Sequence, residues 1–175
     1  ILLDGSKFVN ILNACPDLFE RTVVENGVSK AYSMTGWRIG YCGGPAELIE
    51  AMENMQSHST SNPTSIAQYA AEAALNGDQS CIAPMVKAFK ERGAFVTEAL
   101  NRIPGVKCLQ PAGAFYVFPD CRAAIQDGTP AAHLMKEVRL AVNEGSWFGD
   151  GGDGFIRLNF GCPRATLTRG LELLR

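Results

Sequence analysis

Apolar residues along this chain recur at two spacings, and each spacing predicts its own kind of element. The β-branched run Thr22-Val23-Val24 and the stretch Ile39-Gly40-Tyr41-Cys42-Gly43 have strand length and predict two buried strands. Leu48, Ile49, Met52 and Met55 repeat at three and four, which predicts a helix opened by Pro45 with its methionine stripe in the core. Ser65 to Leu75 reads as an alanine-rich helix stopped by Asn76-Gly77. The longest amphipathic stretch runs from Ala83-Pro84 to Arg102. It carries Met85, Val86, Phe89, Phe95, Val96 and Leu100 on one face and Lys87, Lys90, Glu91 and Arg92 on the other.

Beyond Pro104-Gly105, the segments 106–109 and 113–118 predict two strands. Ala131 to Val142 predicts a helix with Leu134, Met135, Val138 and Val142 inward. Phe155 to Phe160 predicts a strand, and Pro163 to Leu174 a last helix. Residues 1–20 read as a strand edge, a turn at Asp4-Gly5 and a loop broken at Pro16-Asp17. Short apolar strands set between helices predict an α/β fold with a mostly parallel sheet in the first part. A division near the start of the long helix separates residues 1–82 from 83–175.

The 175 residues are 46% hydrophobic and 19% charged, which excludes a disordered chain. A formal net charge of −2 gives no footprint for nucleic acid or an anionic membrane, and no apolar run has transmembrane length. The six cysteines lie far apart with no Cys-x-x-Cys, and only His58 and His133 could join them, so a zinc site is not expected. Their scatter suits buried free thiols in a reducing, cytoplasmic compartment.

Candidate chemistry concentrates in Ser29-Lys30-Ala31-Tyr32-Ser33-Met34-Thr35-Gly36-Trp37-Arg38-Ile39-Gly40-Tyr41. Lys30 offers a primary amine between two small residues. Arg38, eight residues on, offers a planar fork of donors suited to phosphate. Gly36 and Gly40 permit conformations or close approaches that a side chain would block. An amine able to condense with an aldehyde, near a phosphate-binding cation, is the minimum kit for pyridoxal phosphate chemistry.

The stretch from Asn26 to Tyr41 resembles the lysine motif of fold-type-I aminotransferases that use pyridoxal 5'-phosphate. It is closest to the bacterial aspartate aminotransferase branch of class I/II, and later stretches, including Gly113-Ala114-Phe115-Tyr116, match in order. The resemblance implies part of a large cofactor-binding domain at 1–82 and a complete small α+β domain at 83–175. It implies that residues holding the cofactor ring precede Ile1 in a longer enzyme that forms a homodimer. Lys30 would bind the cofactor and act as base and then acid, a role that needs burial and nearby positive charge. Arg38 would hold the phosphate with Ser29 as helper, and Gly27 stands where some members carry a phosphate-binding serine. Arg157, in Ile156-Arg157-Leu158, would grip the substrate α-carboxylate. Partners would be an amino acid and a 2-oxo acid, with no nucleic acid and no membrane. The loop Ser59-Thr60-Ser61-Asn62-Pro63 would lie near the cofactor phosphate of the facing subunit, or serve as a helix cap.

The tail from Trp147 to Arg164 departs from this pattern and resembles cystathionine β-lyase-like C–S lyases. A non-catalytic effector domain of a transcription regulator is a further alternative. Gly149, Gly151, Gly152 and Gly154 do not make a phosphate loop, because no Gly-Lys-Ser/Thr follows, and read as a turn between strands.

Overall fold

The computed structural model describes residues 1–174, which divide into two compact units: Lys7–Pro84, and Ile1–Ser6 together with the chain from Met85 onward. The first unit starts with a short helix, α1 (Ile11–Ala14), and a 3-10 helix over Pro16–Arg21, where a loop was expected. The helix forms because Asn10 and Asn13 cap each other: each side-chain oxygen accepts from the other's backbone N–H, at 2.9 and 3.1 Å.

Strand β1 (Val24–Gly27) leads through α2 (Val28–Ala31) and a 3-10 turn at Thr35–Trp37 into β2 (Gly40–Gly43). The α/β class holds, but this pair is antiparallel, with Val24 opposite Gly43 and Gly27 opposite Gly40. The connection turns straight back instead of crossing over, and a direct return makes antiparallel neighbours. The two glycines let the strand ends close. A Cβ on Gly40 would stand 3.2 Å from the Asn26 carbonyl oxygen, and one on Gly27 3.3 Å from that of Ile39.

Helices α3 (Ala46–Ser59) and α4 (Ser65–Asn76) follow, with Pro45 capping the first. The methionine stripe is not core: Met55 is 77% exposed and Leu48 46%. The buried face of α4 is instead Ala67 and Ala71, one turn apart. Its large residues Ile66 and Tyr69 point outward. The two strands are also more open than expected, with β2 exposed throughout.

In the second unit α5 (Ile82–Leu100) buries Val96, Ala99 and Leu100 against Val117, Phe160, Leu167 and Leu171. Strand β3 (Tyr116–Val117) is all that remains of the two strands expected over 106–118, apart from isolated bridges of Lys107 with Asp120 and of Gly113 with Leu2. Positive φ at Gly105 (81°) and Ala114 (60°) breaks the extended run on either side of Pro111. Helix α6 (Pro130–Val138) stops four residues short of the expected Val142. Arg139 takes a left-handed φ of 56°, and the Leu140 N–H returns to the Leu134 carbonyl at 3.2 Å.

Strands β4 (Asn143–Glu144) and β5 (Ile156–Asn159) complete an antiparallel sheet in the order β3-β5-β4, covered by α7 (Arg164–Leu173). The chain start joins here, with Leu3 buried and its N–H bonded to Ala112 O at 2.7 Å. All six cysteines are free. Only Cys108 and Cys121 are buried, and burial pushes the Cys121 thiol up to about 11. Cys15, Cys42 and Cys81 are exposed, contrary to expectation, because they sit on open turns and on β2. No helix among the described residues is long and apolar enough to cross a membrane.

Two side-chain contacts brace this unit, one across thirteen positions and one local. Buried Glu144 accepts the Ala131 N–H at 2.9 Å, capping α6, whose own N-cap residue Thr129 makes no side-chain cap. Replacing Glu144 with Ala leaves that N–H unpaired and is expected to cost about 1–2 kcal/mol, while Glu144→Gln costs less. Thermal melts of the two variants check this.

Asp120 accepts from Arg122 through Nε at 2.9 Å and Nη2 at 2.7 Å. These side-chain bonds, then the Arg122 backbone N–H, hold the Asp120 carboxyl at about 2. A lowered folded-state value adds stability above the unfolded value of about 3.9, and that stability is lost as pH falls toward 2. Asp120→Asn is expected to flatten the acid limb between about pH 4 and 2, modestly, because Arg122 is largely exposed. Denaturant melts across that range measure it.

Candidate functional site

Val28, Ser29 and Lys30 occupy one helical turn, α2, which follows directly on β1. Val28 is fully buried and anchors the turn. Lys30 comes two positions later, about 200° further round a helix of 3.6 residues per turn, and is exposed. Burial of this amine was expected and is not met within the described surroundings of its unit. Ser29 is half-buried.

The turn is held from the other side by Tyr32, whose hydroxyl donates to Gln79 Oε1 at 2.8 Å. Gln79 in turn donates to the Gly77 carbonyl at 2.8 Å, tying α2 to the end of α4. This tether gives Tyr32 a structural role, through a partner 47 residues away.

Arg38 closes the 3-10 turn at Thr35–Trp37 with a left-handed φ of 53°. Ser33 shares that conformation at 56°, so two non-glycine residues are strained within six positions. The Arg38 Nη1 donates to the Thr35 carbonyl at 2.8 Å, which folds the side chain back along the turn. Gly36 meets nothing within 4 Å of a built Cβ and has no positive φ, so the close approach expected there belongs to Gly40 alone. Thr64 occupies the N-cap of α4, but its side chain makes no cap bond. That position is bridged by Gln68 Nε2, which donates to the Pro63 carbonyl at 2.7 Å.

Arg157 lies in the second unit, on β5, the strand paired on both edges. Alternation places Ile156 and Phe160 in the core, with Arg157 facing the other way. Its cross-strand partner is Asn143, whose side-chain oxygen accepts from Arg157 Nη2 at 3.4 Å. The guanidinium carbon stands 4.6 Å from the Tyr116 ring centroid and 4.3 Å from that of Phe148. Nε is buried with no hydrogen-bond partner. Among the described residues no carboxylate pairs with this half-buried cation. Asn143, Tyr116 and Phe148 were not singled out from sequence. Only the register of β4 on β5 brings Asn143 beside Arg157, and no local pattern encodes that register.

The aminotransferase class I and II family matches residues 4–174. An aspartate/prephenate aminotransferase of Nitrosomonas europaea is 59% identical over 98% of this chain and 46% of that protein. An aspartate aminotransferase of Geobacillus stearothermophilus is 45% identical over 96% of this chain and 44% of that protein. The solved aspartate aminotransferase of Rhizobium meliloti superposes with a TM-score of 0.92 at 42% identity, over 99% of this chain and 46% of that one. The chain thus spans about half the length of the relatives it matches. These matches run through the tail and carry aminotransferase names, which favours neither the lyase nor the regulator alternative. On its sequence from residue 4 to 174 and on its fold, the chain belongs to the class I and II aminotransferases.

Proposed function

We propose that this chain supplies the cofactor-anchoring lysine and the carboxylate-binding arginine of a pyridoxal 5'-phosphate-dependent aminotransferase. The enzyme moves an amino group from an amino acid, of the aspartate type, to a 2-oxo acid. The activity is proposed for a protein of the relatives' length, working as a cytoplasmic homodimer.

The observation that carries the reading is Arg157. Among the described residues, this half-buried guanidinium has two aromatic rings against it, a neutral amide as its hydrogen-bond partner and no anion. A substrate α-carboxylate has the charge and the planar two-oxygen shape that such a fork accepts.

The first unit has a donor set that fits a phosphorylated aldehyde. Lys30 brings a primary amine, Ser29 a hydroxyl on the same turn, and Arg38 a guanidinium with one of its donors held by Thr35. The cofactor, when bound, supplies the electron sink that makes the substrate Cα–H acidic. Lys30 Nζ would take the proton from substrate Cα as base and deliver it again as acid within the same half-reaction, and the reverse transfer would serve the 2-oxo acid. Arg157 orients the amino acid by its carboxylate. Arg38 and Ser29 would hold phosphate oxygens, on a turn whose backbone takes left-handed φ at Ser33 and Arg38.

Incubation with pyridoxal phosphate, borohydride reduction and peptide mass spectrometry test the anchor. One phosphopyridoxyl group is expected on Lys30 and none on the Lys30→Arg protein; label spread over other lysines sinks the assignment. In the enzyme at full length, Lys30→Ala is expected to lower the amino-transfer rate by roughly 10²–10⁴-fold or more. Stopped-flow half-reactions with aspartate read that loss.

A further inference from the structure

The glycine-rich segment from Gly145 to Gly154 has no role in the chemistry above, yet its backbone is built to unusual closeness. Two 3-10 turns, Gly145–Phe148 and Asp150–Gly152, lie against one another. A Cβ on Gly145 would stand 2.3 Å from the Gly152 carbonyl oxygen, and one on Gly152 2.1 Å from that of Gly145. No other residue type fits at either position. Gly149 between them takes a φ of 125°, and the Gly145 N–H bonds the Phe155 carbonyl at 2.8 Å. The fold of this loop sets the direction of one large side chain, Phe148.

The Phe148 ring lies 4.3 Å from the Arg157 guanidinium carbon and meets Phe118 edge-on at 6.1 Å. Phe118 in turn stacks on Phe155 at 5.3 Å, which fixes the ring from behind. From Phe148 and Tyr116, then, the guanidinium has two aromatic neighbours, and its Nε is shut away from solvent. With Nε enclosed and Nη2 steadied by Asn143, a ligand would be met by the Nη1–Nη2 end.

We infer that Phe148 is a positioning residue for substrate binding: its ring, delivered by the glycine loop, holds the Arg157 plane so that a carboxylate is taken end-on at the two Nη atoms. The inference rests on the reading of Arg157 as the carboxylate anchor. A ring face attracts a guanidinium lying over it, and an aliphatic side chain of similar volume does not. The loop therefore acts through the orientation of the arginine and not on the proton transfer.

The test uses the full-length enzyme loaded with cofactor. Succinate, an aspartate analogue without the amino group, is titrated by calorimetry, and KM and kcat for aspartate are measured alongside. Phe148→Ala and Phe148→Leu are each expected to weaken succinate and raise KM by roughly 5- to 30-fold, with kcat changed less than about threefold. Phe148→Tyr is expected to stay within about twofold of the parent, because it keeps the ring. If Phe148→Leu binds succinate like the parent, the ring only fills space and the inference is overturned. It is overturned too if Phe148→Ala binds normally while Arg157→Gln does not, and the carboxylate anchor then survives. If Arg157→Gln itself binds succinate like the parent, the anchor reading fails and this one with it. Melting temperatures of all four variants separate lost orientation from lost folding.

Discussion

Strand β5 is the constraint on which the second unit depends. It is paired on both edges, to β3 through Tyr116–Asn159 and to β4 through Asn143–Arg157. A slip by one residue would turn Ile156 and Phe160 out of the core and drive Arg157 into it, so the core and the charge enforce the same register. Phe160, fully buried at the end of the strand, packs edge-on to Phe89 of α5, with ring centroids 6.5 Å apart. The hydrophobic effect thus aims the arginine. The residues that bury area are apolar, and the arginine proposed to bind substrate is placed by their alternation.

The first unit is built on the opposite balance. Its buried residues are Val28 and two alanines, while Met55, Ile66 and Tyr69 are each mostly exposed. Such a small core holds little by itself, and the lysine turn is instead fixed by specific bonds and close backbone. The Gly27–Gly40 pair closes the strand ends, Tyr32 is tethered to Gln79, and Arg38 folds onto Thr35. Each is a directed contact that a single substitution removes, so the turn is expected to tolerate less change than its exposure suggests.

Much of this was legible in the sequence, and the failures have physical causes. Helices α4, α5 and α7 lie within about two residues of their expected limits, because alanine content, amphipathic spacing and flanking proline act locally. The motif residues were recognisable by type and order. What failed depended on backbone sign or on distant partners. Ala114 and Arg139 adopt positive φ, which nothing in their side chains announces, and each cuts an element short. The methionine stripe of α3 has helical spacing, but spacing tells which residues share a face and not whether anything covers it. The antiparallel turn at β1–β2 and the Asn143–Arg157 register are equally non-local.

The same row of aromatic rings has an arginine at each end, and the contrast between the two tells what kind of arginine Arg157 is. Arg122 lies over Phe155 at 5.0 Å and is bound through two of its nitrogens to Asp120, whose carboxyl is held at about 2 by that contact. Its charge is answered within the fold, and Gly154 is confined beside it, since a Cβ there would stand 2.2 Å from Arg122 Cγ. Arg157, at the Phe148 end, has similar ring company but no carboxylate among the described residues, and it is less exposed than its counterpart. A guanidinium that is partly withdrawn from water and left without a counter-charge is an unfavourable arrangement for a folded protein at rest. In the role we propose for Arg157, an arriving carboxylate would relieve it. On the proposal that Arg157 holds a substrate carboxylate, the cost of leaving it unanswered would be returned as affinity.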